Sequence, residues 1–197
     1  MDLLPLVFTS GWASGVNAYA TVLLLGLLGR FGGIDGMPAA LQRTDVLIAA
    51  GGLFALEFVA DKIPYVDSGW DAISTAIRPT VGAILGLLLA GDASSLEQAL
   101  SATIAGTTAL GSHAVKSGLR LAVNTSPEPA SNIVVSLAED FSVAGAVTLA
   151  VLQPWTAFGI AAGLLGGGAL LTLLLTRRVR RGYRRWRERR HQALEQP

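Results

Sequence analysis

Apolar stretches of about twenty residues recur along this chain, each closed by a polar or Gly/Pro-rich break. That is the length a helix needs to cross the hydrocarbon of a bilayer. The pattern predicts six segments. The first covers roughly 13–31 and follows a short apolar piece at 3–10, read as interfacial or re-entrant. The loop "GGIDGMPAALQRTD" separates it from a second at roughly 45–63. "PYVDSGWD" leads to a third at roughly 72–91, and "DASSLE" to a fourth at roughly 98–122. After "NTSPEPAS" come a fifth at roughly 132–152 and a sixth at roughly 154–176, joined at "QPW". Glycine and polar residues dilute the first and fourth segments, so four or five spans with re-entrant pieces stay open as a count. Glycine in such helices lets neighbours approach closely.

The expected fold class is therefore all-α, a polytopic membrane helical bundle. Residues 1–176 form one membrane-embedded domain and 177–197 an Arg-rich tail. Composition agrees. Charged residues make up 15% of the chain against about a quarter in soluble domains. The net charge of +1 hides an asymmetry, because nine of the fifteen basic residues lie between Arg177 and Arg190. Basic residues beside a span stay in the cytoplasm. Six spans then place both termini there, with the acidic "GDASSLE" outside. A bacterial inner membrane is the expected location. The start "MDLLPLVFTSGWASG" has no basic leader and does not read as a cleavable signal peptide.

The two halves carry a weak internal similarity. "GVNAYATVLLLGLLGR" from Gly15 sets against "GSHAVKSGLRLAVNTS" from Gly111, with Asn17 opposite His113 and, further on, Pro79 opposite Pro154. Chance similarity among glycine-rich segments is the rival explanation. Three spans per unit would make a 3+3 inverted repeat, a plan in which substrates bind at interrupted helices near the repeat interface.

Charge inside such segments is the main functional signal. His113, Lys116 and Arg120 fall on one helical face at spacings of three and four. Glu57 and Asp61 are four apart on the second segment, and Glu139 and Asp140 lie in the fifth. Asp67, Asp71 and Arg78 flank the joint before the third. All share the tail's half of the membrane in the expected topology. Facing lipid they would be costly, so they face an interior, a water-filled cavity or one another. The candidate substrate- or ion-binding residues are Asn17, Glu57, Asp61, Arg78, His113, Lys116, Arg120, Glu139 and Asp140. The bland reading is that Lys116 and Arg120 pair with Glu139, Asp140 or Glu57, fixing helix register. Asn17 has its own bland reading as an interhelical hydrogen bond.

Several classes drop out. The absence of cysteine removes disulfides and thiolate chemistry. His113 and the tail residue His191 make no metal site, and no cofactor is expected. "GGIDG" and "GLLGGG" lack the following Lys-Ser/Thr of a phosphate loop. Catalysis is not expected. The Arg-rich tail, with Tyr183 and Trp186, reads as a binder of anionic lipid, not nucleic acid.

At "SGVNAYATVLLLGLLGR", "LEFVADKIPYVDSGWDAISTAIRPTVGAILG" and "GSHAVKSGLRLAVNTSPEPASNIVVSLAED" the chain resembles the bacterial domain-of-unknown-function 4126 family. Its most distinctive parts are the E-x-x-x-D-K-x-P run and H-A-x-K-x-x-x-R. The resemblance covers most of residues 5–175 and implies an integral membrane protein, with no activity to carry over. The leading functional expectation is a transporter or permease-like protein acting on an unknown small substrate or ion. The acidic residues would handle a proton, a cation or an amine, and the basic triad an anionic group. A lipid-phosphate flippase and a non-catalytic scaffold are the alternatives. A homo-oligomer is compatible with all three.

Overall fold

The computed structural model describes the backbone of residues 2–63, 66–123 and 129–194. Among these residues all regular structure is helical: α1 (Leu3–Val16), α2 (Ala18–Phe31), α3 (Thr44–Ala60), α4 (Val66–Ala90), α5 (Ser95–Val123), α6 (Pro129–Leu152) and α7 (Pro154–Leu194). Local chemistry sets several boundaries. Ser94 and Glu97 form a reciprocal capping box at the start of α5, with Ser94 N–H donating to Glu97 Oε2 at 3.0 Å. Proline opens both α6 and α7, where its missing N–H costs nothing.

The interior of the bundle combines an apolar core around Trp12, Leu25, Leu85 and Val147 with many buried polar side chains, while its surface is apolar. Ile73, Ile84, Leu100, Val134, Phe141 and Leu173 are exposed, while Thr9, Ser14, Asn17, Glu57 and Arg78 are buried. That distribution suits a hydrocarbon surround and would be a liability in water. Within α4, α6 and α7, the stretches Gly69–Ala90, Ala130–Leu152 and Pro154–Arg178 are long and apolar enough to cross a membrane. They match the expected third, fifth and sixth segments. The second and fourth depart in different ways. At 17 residues α3 extends about 26 Å, short of the roughly 30 Å hydrocarbon core. α5 is long enough at 29 residues, but its serines, threonines and charges keep it from being apolar throughout.

The first segment is not one helix. It breaks at Asn17, whose backbone is extended at φ −150° and ψ 101°. The side chain makes the break: Asn17 Oδ1 accepts from Ala20 N–H at 2.9 Å and caps α2. The piece at 3–10 is part of α1, where Pro5, Leu6, Val7, Thr9 and Ser10 are buried. Leu3 and Leu6 share a cavity with Asp35, Gly36, Leu89 and Ala90. The start of α1 and the loop after α2 thus lie at the same end of the bundle, where α4 finishes. α1 and α2 form a hairpin with its tip at Asn17. α5 runs unbroken through Gly111 and His113, the positions set opposite Gly15 and Asn17, and His113 reaches sideways to Arg78 of α4.

Close packing of small residues seats the hairpin. Gly11 and Gly15 of α1, four apart, lie on the backbone of Ala105 and Ala109 of α5. Gly82 and Gly86 of α4, again four apart, lie on the same stripe near Ala109, Ala105 and Ser101. α5 is thereby clasped by two small-xxx-small faces. Ser112 Oγ donates to Trp12 O at 2.8 Å, and Ser14 Oγ to Arg78 O at 3.1 Å. α7 continues without a break from the apolar part into the Arg-rich part, so the expected tail is a helical extension.

A Cβ at position 15 would strike the Ala109 carbonyl and Ser112 Oγ, whereas at position 145 it would meet open space. Gly15→Ala should therefore destabilise the protein by about 1–3 kcal/mol, as overpacking does. Gly145→Ala should be neutral or stabilising by up to about 1 kcal/mol through helix propensity. Thermal unfolding of both variants in detergent checks the contrast.

Candidate functional site

Four helices contribute polar residues at helical spacing to the interior at one end of the bundle. α3 ends with Glu57, followed by Asp61 at its C-cap; α4 gives Asp67, Asp71 and Arg78; α5 gives His113, Lys116 and Arg120; α6 gives Asn132, Ser136 and Glu139. With apolar side chains turned outward, each helix has one interior stripe for polar groups. The hairpin tip enters the same space.

Arg78 organises one half of the site. Its Nη2 pairs with Glu57 Oε1 at 2.5 Å and its Nη1 with Asp71 Oδ1 at 3.1 Å. Nη1 also donates to His113 Nδ1 at 2.8 Å and approaches Gly15 O at 3.4 Å. A guanidinium has only donors, so Nδ1 accepts and the imidazole proton sits on Nε2. Nε2 faces Thr75 Oγ1 at 3.0 Å, and that hydroxyl donates onward to Asp71 O at 3.0 Å. His113 is thus wired as a neutral ring. The basic triad is therefore two cations and one neutral ring that accepts from Arg78.

Lys116 and Arg120 organise the other half. Lys116 Nζ pairs with Asp61 Oδ2 at 2.8 Å and Glu139 Oε2 at 3.3 Å, and donates to Val16 O at 3.0 Å. Arg120 grips Glu139 with two bonds, Nη2 to Oε2 at 2.5 Å and Nε to Oε1 at 3.2 Å. It also reaches Asp61 O at 2.7 Å, Asn132 Oδ1 at 3.2 Å and Asp67 Oδ2 at 3.4 Å. Such forked contacts hold a planar group in one orientation. Both halves meet on α1. The break at Asn17 leaves the last carbonyls of that helix without intrahelical partners. Gly15 O is faced by Arg78 and Val16 O by Lys116, so the negative end of the helix dipole rests on two cations.

Charge in the site does not balance. Buried Arg78, Lys116 and Arg120 meet five carboxylates: Glu57, Asp61, Asp67, Asp71 and Glu139. Asp140 is a sixth, half-buried, and accepts from Asn17 Nδ2 at 3.2 Å. Half-buried Lys62 lies over the Phe58 ring at 3.0 Å and donates to Phe58 O and Ser136 Oγ. Among the described residues, Glu57 Oε2, Asp61 Oδ1, Asp71 Oδ2 and Asp140 Oδ2 are buried with no hydrogen-bond partner. Among the described residues no three His, Asp or Glu side chains converge as a metal site.

All nine candidate residues therefore lie in or beside one network. Glu57, Asp61, Arg78, His113, Lys116, Arg120 and Glu139 are its members, and Asn17 with Asp140 forms an adjoining pair. Asp67 and Asp71 belong to the network as well, although the sequence placed them only beside the joint. Thr75, Asn132 and Ser136 went unnoticed. Asn132, Ser136 and Glu139 stand at i, i+4 and i+7, a stripe readable once α6 is known to turn that face inward. The side chains of Tyr183, Trp186 and His191 lie outside the described residues.

The family model described as "Domain of unknown function (DUF4126)" matches residues 4–174, most of the chain and all of the helices that build this site. The chain belongs to this family. No curated protein and no solved structure matches it. Within this member of the 4126 family, the distinctive E-x-x-x-D-K-x-P run supplies Glu57 and Asp61, and H-A-x-K-x-x-x-R supplies His113, Lys116 and Arg120.

Removing one partner of a buried ion network leaves the others uncompensated, at a cost of about 3–5 kcal/mol. Arg120→Ala should lose that much, and Arg120→Ala/Glu139→Ala less than the sum of the two single losses. Arg43→Ala, which breaks an exposed pair with Asp45, should leave unfolding unchanged. Denaturant titration in micelles compares the variants.

Proposed function

We propose that the protein is a non-enzymatic transporter or permease-like protein of a bacterial inner membrane, whose buried charged cluster handles a cation, a proton or a small charged substrate. The observation that carries this reading is the surplus of buried carboxylates around an interrupted helix. A network serving only to hold helices together is best when neutral and saturated with hydrogen bonds. Here, among the described residues, six carboxylates face three buried cations and the half-buried Lys62, and four of the carboxylate oxygens have no partner. Interrupted helices whose free carbonyls and dipole ends face ions are a recurrent device of secondary transporters. The Arg-rich sequence after the apolar part of α7 supports a cytoplasmic charged end by the positive-inside rule, and anionic lipid is the partner proposed for it.

The flippase reading fits less well. Lys116 and Arg120 already donate to carboxylates and carbonyls, so a phosphate would have to compete with Asp61 and Glu139 for them. A scaffold would use the same ion pairs but has no use for the surplus charge.

The test loads proteoliposomes with a small-molecule extract of bacterial cells and follows efflux by mass spectrometry. At least one solute should leave faster than from protein-free vesicles, and Glu57→Gln should slow it at least tenfold while eluting as a folded protein. No solute leaving faster than from empty vesicles would sink the transporter reading.

A further inference from the structure

We propose that the groove between α1, α5, α6 and α7 is the substrate site, and that it takes a small amphipathic amine whose ammonium group sits at Glu139. The inference rests on the transporter reading and names its substrate class. The groove holds about 250 Å3. An apolar cavity of about 150 Å3 accepts benzene, so this one has room for an aromatic or alkyl body of that size or larger. Trp12, Val16, Val115, Leu119 and Leu164 supply its apolar wall. Leu164 is the exposed member, at 48%. It stands near the middle of the apolar stretch Pro154–Arg178, so the groove opens sideways toward hydrocarbon.

Charge enters the groove from one side, where Lys116 and Glu139 line it. The Glu139 side chain is 15% exposed, whereas those of Glu57, Asp61, Asp67 and Asp71 are at 1%, 3%, 0% and 6%. Glu139 is thus the carboxylate of the ion network with surface to offer a ligand. Its oxygens accept from Arg120 Nε and Nη2 and face Lys116 Nζ. A carboxylate has about four lone-pair sites, so the three cationic contacts leave room for one more donor.

The hydrogens on the wall decide the sign of the ligand. Ser112 Oγ donates to Trp12 O at 2.8 Å, and Ser142 Oγ to Glu139 O at 2.7 Å. Lys116 Nζ has three acceptors for its three N–H groups: Val16 O at 3.0 Å, Asp61 Oδ2 at 2.8 Å and Glu139 Oε2 at 3.3 Å. Apart from the Trp12 indole, the side chains of the wall therefore offer acceptors and no spare donor. An anion needs donors, whereas an ammonium brings only donors. The surplus of carboxylates behind the wall favours the same sign, and an aromatic wall suits an ammonium as well. A carboxylate or phosphate ligand would have to take Lys116 from Asp61 or Glu139.

The probe is 2-phenylethylamine, a cation at neutral pH, titrated calorimetrically into the full protein in phosphatidylcholine nanodiscs with empty nanodiscs subtracted. The amine should bind saturably. Phenylacetate, an aromatic ligand of opposite charge, should bind at least tenfold more weakly. Ser142→Leu adds bulk to the wall and removes no charge, and it should weaken amine binding at least tenfold, as should Glu139→Gln. The Ser142 variant and the comparison of the two ligands keep the site testable if Glu139→Gln does not fold. Absence of saturable amine binding, phenylacetate binding as tightly as the amine, or amine affinity unchanged in folded Ser142→Leu or Glu139→Gln would each overturn the proposal. Binding is read without transport. Efflux that fails while the amine binds sinks the transporter reading alone, and efflux that proceeds without amine binding sinks this site alone.

Discussion

The break in the polypeptide at Asn17 is the constraint on which the rest depends. A helix that stops inside a protein leaves carbonyl groups pointing into space that water does not freely reach. Those carbonyls must be met by donors, and the nearest donors are Arg78 and Lys116. Cations brought there need counter-charges, which explains the carboxylates from α3, α4 and α6. The ion network is the response of four helices to one unfinished helix end. The glycine contacts follow from the same demand, because α1 reaches that depth only by lying directly on the backbone of α5.

Carboxylates in excess of cations set this network apart from a set of ordinary helix-to-helix ties. Coulomb attraction in a medium of low dielectric is strong, but so is the cost of each charge left over. Evolutionary pressure for stability alone would trim the surplus.

Much of this was legible in the residues, and for reasons that can be named. Charges at spacings of three and four on apolar segments have no tolerable position except the interior, so the membership of Glu57, Asp61, Lys116 and Arg120 followed from cost alone. The segments of α4, α6 and α7 were legible because apolar length is a direct requirement of the bilayer. The hairpin was harder. Hydropathy records what surrounds a segment and not its direction, so two short apolar half-helices add up to the signature of one span. Asn17 was the only mark of the turn, and a lone amide reads equally well as an interhelical bond. The neutral state of His113 was beyond reach for a similar reason, since it depends on Arg78 supplying the proton of their shared bond from another helix.

The unbroken course of α7 gives the Arg-rich segment a mechanical character. A 41-residue helix is about 60 Å long, roughly twice the hydrocarbon thickness. Its apolar part touches the bundle sparsely and is mostly open to lipid. One continuous helix thus carries the Arg-rich segment well past the bundle and joins it to the packing around Val115 and Gly118, where α7 lies against α5 next to the buried charges.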